Sequence, residues 1–157
     1  MEPALLALNG WLDALGVVDW ARGSASVYPW ANVLHVLGAI MLVGGIGIVD
    51  LRIVGAWRRL PLVALSQALV PVAVAGLVLQ AGSGVILFAA DGRTLASSSV
   101  FHVKLVLLAL ATVNAALFRL RWRPDAERTS ASERLAAGAS LVLWLTIAVL
   151  GRLIAYY

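Results

Sequence analysis

Two stretches decide the fold: YPWANVLHVLGAIMLVGGIGIVDL over 28–51 and SVFHVKLVLLALATVNAALFR over 99–119. Each is apolar for long enough to cross a bilayer, because about 20 helical residues match the ~30 Å hydrocarbon core. Each also carries one of the only two histidines in the chain, His35 and His102. An imidazole in hydrocarbon is costly unless its ring nitrogens are occupied. Two of them entering from one side point to a single shared partner, and the expected partner is a haem iron.

Composition sets the class. Of 157 residues, 62% are apolar and 13% charged, with a mean hydropathy of +0.94. Soluble domains hold about 45–50% apolar and roughly 25% charged residues, so the sequence reads as an integral membrane protein. The net charge of +4 does not imply nucleic acid, because the arginines fall in short loops between spans. With no cysteine, disulfides, thiolate metal sites and c-type haem attachment are excluded.

Residues 1–27 predict an amphipathic segment in the membrane interface, not a signal peptide, since the start is acidic and the apolar residues are periodic. Leu5, Leu8, Leu12 and Leu15 share a face with Trp11 beside them, Asn9 and Asp13 face elsewhere, and Gly16 is a stop. Spans are expected at about 28–51, 62–90, 99–119 and 135–154, giving an all-α, up-down four-helix bundle. Ser24 or Ser26 is expected to cap the first, with Pro29 in its first turn. Arg52, Arg58, Arg59, Arg119, Arg121, Arg123, Arg128 and Arg134 follow spans one and three; Arg22, Arg93, Arg152 and Lys104 belong to the other side. The positive-inside rule then places both termini in the periplasm of a bacterial inner membrane. The aromatics agree, with Tyr28, Trp30, Phe88, Phe101, Tyr156 and Tyr157 at one interface and Trp57, Phe118 and Trp122 at the other.

In this topology His35 and His102 lie toward the same face, His35 about 10 Å along its helix from Tyr28 at 1.5 Å per residue. Gly38 and Gly45 continue the His35 face and give a flat macrocycle room; equally, small residues let another helix approach. Asn32, Gln80, Ser83 and Ser99 lie at the right level to hold the second ring nitrogens. Arg93, Arg152 and Lys104 supply cations for haem propionates, while Lys104 alone reads as a snorkelling lysine. The expected cofactor-binding set is His35, His102, Gly38, Gly45, Gln80, Arg93 and Lys104, with both histidines on the iron. Zinc or copper without porphyrin lacks donors, and no nucleophile, base and acid recur at one level. Asp50 and Arg52 read as an ion pair or anchor at the helix end, and Asn114 as an interhelical hydrogen bond.

LHVLGAIMLVGGIGIVDLRIVG over 34–55, a glycine-rich second span and a third of the form FxxKLxxLxxxxxNAALF together resemble a family of small bacterial four-helix membrane proteins. The resemblance covers most of 28–120 and rests on His35, Gly38, Gly45, Asp50, Arg52, Lys104 and Asn114. It implies the fold and a bacterial membrane and brings no activity. More remotely, the layout is similar to four-helix b-type cytochromes and the membrane part of copper-resistance D proteins, departing from diheme forms in having two histidines instead of at least four.

The function expected from these residues is a b-type haem protein, or another tetrapyrrole held by one histidine. It would exchange electrons at the periplasmic side with quinone or a partner subunit. The alternatives are a non-enzymatic accessory or assembly subunit, as a homo-oligomer or in a larger complex, and a small transporter. A transport path would have only Gln80, Ser83, Thr112, Asn114 and Thr146 to line it.

Overall fold

Four segments are apolar enough over a long run to sustain a helix, one of them through an internal Pro71, and all four form long helices in the computed structural model, which describes residues 1–121 and 129–154. The elements are α1 (Glu2–Ala14), α2 (Val17–Gly23), α3 (Val27–Val54), α4 (Leu62–Ser97), α5 (Ser99–Arg121) and α6 (Ala131–Leu153), with no strand among the described residues. Helices α3 to α6 are each long and apolar enough to cross a membrane. At 28 residues, α3 is about 42 Å long and exceeds a ~30 Å core. Of the residues singled out by sequence, Trp122, Arg123, Arg128, Tyr156 and Tyr157 lie outside the described ones.

Packing centres on α3, which lies along α4 on one side and against α6 on the other; α5 in turn packs on α6. Among the described residues, α3 and α5 bring no pair of Cα atoms within 8 Å. Helix α4 meets α5 where Phe88 stacks on Phe101, with ring centroids 5.9 Å apart. The α3–α4 contact is backbone on backbone. A Cβ on Gly76 would stand 2.6 Å from the Leu42 nitrogen and 2.7 Å from the Gly38 oxygen. A Cβ on Gly38 would stand 2.8 Å from the Gly76 oxygen. Farther along, one on Gly45 would lie 3.0 Å from the Leu69 oxygen. Small residues at a crossing let two helices gain dispersion contact over a long seam, which is how helices associate where lipid is as apolar as their side chains.

Helix α4 runs past its expected end. Asp91 takes φ −120° and ψ 20°, a break after which helix resumes to Ser97, so the polar 91–99 stretch is mostly helical. The N-terminal segment closes over this break. Gly16, at φ 74° in the left-handed region that glycine adopts without strain, separates α1 from α2. Leu12, Val18 and Ala21 then pack on Phe88, Ala89 and Ala90. Arg22 donates from Nε to the Ala90 carbonyl at 2.6 Å. Asn9, expected off the packed face, is buried against Gly92, whereas Leu8, Trp11 and Leu15 are exposed. Ser26 occupies the N-cap position of α3 but its hydroxyl pairs with Ser24 at 3.2 Å and caps no amide.

The opposite ends are tied by polar groups. Ser130 and Glu133 form a reciprocal capping box at the start of α6. Asn114 donates to the Ala136 carbonyl at 3.0 Å, the interhelical bond expected of it. Arg52 does not pair with Asp50. Its guanidinium donates to the carbonyls of Leu60 and Arg58, both at 2.8 Å, clipping the turn after α3.

Gly76→Val should cost about 2 kcal/mol or more by forcing α3 and α4 apart. Gly82→Ala, whose added Cβ meets nothing within 4 Å, should be neutral or slightly stabilising, because alanine outranks glycine in helices. Thermal unfolding of both variants followed by circular dichroism in detergent checks the contrast.

Candidate functional site

The site grows from the close α3–α4 seam. Because the helices approach over Gly38 and Gly76, side chains one turn further on can bridge them. Gln80 of α4 donates from Nε2 to the main-chain carbonyl of His35 at 3.0 Å. Ser83, one turn of helix beyond Leu79, places its hydroxyl 2.6 Å from the Leu79 carbonyl and 3.0 Å from His35 Nδ1. A carbonyl only accepts, so the serine donates to Leu79 and its oxygen accepts from Nδ1–H. This chain sets the His35 tautomer: Nδ1 carries the proton and Nε2 keeps its lone pair. Gly84 makes room for the ring, since a Cβ there would stand 3.3 Å from His35 Cε1.

His35 is half-buried. Its Nε2 takes no hydrogen bond among the described residues and is not one of the polar atoms sealed without a partner. A held Nδ1–H with an open Nε2 is the arrangement of a metal-ligating imidazole, in which the far nitrogen fixes ring and tautomer. Lys104 of α5 is half-buried, and its ammonium is near enough to act on the His35 ring through its charge. It passes close to Gly151 of α6, where a Cβ would stand 3.5 Å from Nζ.

The remaining expected residues fall elsewhere. His102 lies in the first turn of α5, and its Nε2 donates to the Ala96 carbonyl at 2.8 Å. Only Ser98 separates α4 from α5, so the terminal carbonyls of one helix fall within reach of the other's first turn. The nitrogen that most often ligates haem is therefore occupied. A two-histidine grip through that nitrogen would require His102 to release the Ala96 carbonyl. Gly38 and Gly45 lie under α4, which fills the space a flat ligand would need. Arg93 is exposed on the short segment beyond Asp91. Hydrogen bonds thus join His35, Gln80 and Ser83, with Gly38 packed against Gln80 and the Lys104 charge acting on the ring, and leave His102, Gly45 and Arg93 outside that cluster. Among the described residues, no group of three or more His, Asp or Glu side chains is placed to hold a metal ion.

No protein-family model, no curated protein and no solved structure matches this chain.

Ser83→Ala should free the His35 ring, cost about 1 kcal/mol, and turn one tautomer into a mixture. Nitrogen chemical shifts of labelled imidazoles report this directly. An unchanged Nδ1–H signature in the variant would show that the serine does not hold the ring.

Proposed function

We propose that the chain is a multi-pass protein of the bacterial inner membrane, an up-down four-helix bundle with both termini periplasmic. On this reading His35 holds a b-type haem, or another tetrapyrrole, near the periplasmic face. Membrane insertion is supported by the long apolar helices and by mid-helix side chains that face outward, such as Val78 at 67% and Val142 at 66% exposure. The periplasmic placement rests on arginines gathering after the first and third spans. The haem reading is carried by one observation, the Nδ1–Ser83–Leu79 chain that leaves the His35 Nε2 lone pair open. Bound there, the group would supply one-electron chemistry, with quinone or a partner subunit as the other redox partner. The chain's own part is to hold the imidazole, to exclude water with apolar helix walls, and to place the Lys104 charge close by.

A second reading is favoured by a different observation. His102 is satisfied by Ala96, and Gly38 and Gly45 are covered by α4. These are the arrangements of a purely structural histidine and a helix-packing face. They suit a non-enzymatic accessory subunit in a larger membrane assembly.

One experiment separates the two. Protein purified after haem-supplemented expression should show a Soret band and a sharp reduced α band, both lost in His35→Ala. A colourless wild-type protein overturns the haem reading. If His35→Ala with His102→Ala leaves folding and any co-purifying partner unchanged, the accessory reading stands.

A further inference from the structure

At the other end of the α3 helix the four long helices enclose a cavity of about 350 Å³, walled by Leu42, Ile46, Leu77 and other apolar residues. Three polar side chains on this wall are almost wholly buried, Asp50 of α3 at 5% exposure, Ser140 of α6 at 5% and Trp144 of α6 at 4%. Asp50 Oδ2 and Trp144 Nε1 have no hydrogen-bond partner. Ser140 stands beside the carboxylate and satisfies it only in part. Arg52, two residues on, spends its guanidinium on the turn carbonyls. Arg119 lines the same cavity but is exposed and forms no ion pair with Asp50.

We propose that this cavity is a binding site for an apolar molecule bearing a protonated amine, with Asp50 as its counter-ion and the ring of Trp144 against its apolar body. A carboxylate in hydrocarbon persists when a cation or hydrogen-bond donors balance it. Here the chain supplies neither in full, and the walls are mostly apolar apart from Ser66, Asn114 and the exposed Arg119. Shape and charge together select a lipophilic cation over an anion or a neutral hydrocarbon. An indole face adds attraction for a cation. This site lies apart from His35 and does not depend on the tetrapyrrole reading.

The test is titration of the full-length protein in nanodiscs with three cage compounds of one shape, 1-aminoadamantane, 1-adamantanol and 1-adamantanecarboxylate, followed by calorimetry. The amine should bind about tenfold more tightly than the alcohol, and the carboxylate should not bind. Asp50→Asn should remove the preference for the amine while leaving alcohol binding unchanged, which also shows that the cavity still forms. Equal binding of amine and alcohol to wild type, or an amine preference that survives Asp50→Asn, overturns the proposal. So does failure of the amine to bind.

Discussion

The hydrogen bonds that bridge α3 and α4 depend on two backbones coming closer than side chains would permit. Gly38 and Gly76 face each other across that seam, each leaving no room for a Cβ on the other. Only at such a separation can Gln80 reach a main-chain carbonyl of α3, and only then does Ser83 meet the His35 ring. The glycines cost helix propensity, about 1 kcal/mol each relative to alanine. This is offset by contact along the seam and by the hydrogen bonds that the close approach allows.

The same seam divides the chemistry of the molecule. Toward the start of α3 lie His35, Ser83, Gln80 and Lys104, a cluster in which the hydrogen bonds fix one imidazole nitrogen and leave the other open. Toward its end lies Asp50, beside a cavity and without the arginine that follows it in sequence. Between the two, α3 is flanked by α4 and α6, and α5 contributes Lys104 at one end and Asn114 and Arg119 at the other. The short helices α1 and α2 close over the break in α4 at Asp91, and Arg22 ties them to the Ala90 carbonyl.

Helix identity was written plainly in the chain. Four long apolar helices were legible because sustained hydrophobicity and the arginine-rich turns between the runs are local signals. Gly16 as a break and Asn114 as a bridge between helices were legible for the same reason. The extension of α4 beyond Asp91 was not. Polar residues such as Thr94 and Ser97 read as turn, while packing of α1 and α2 on that segment holds it helical.

The sequence by itself determined that there would be four long apolar helices and which few side chains could do chemistry among them, since both follow from composition and 3.6-residue spacing. It did not determine which helices would touch. His35 and His102 were alike in type and in the side on which they were expected, yet one meets a serine across a glycine seam and the other takes the Ala96 carbonyl near the end of the preceding helix. Asp50 and Arg52 were neighbours in sequence, yet one is buried and the other clips a turn. Tertiary structure decided these cases because a hydrogen bond depends on distances of tenths of an ångström between separate helices. Those distances are set by the close packing of residues far apart in the chain.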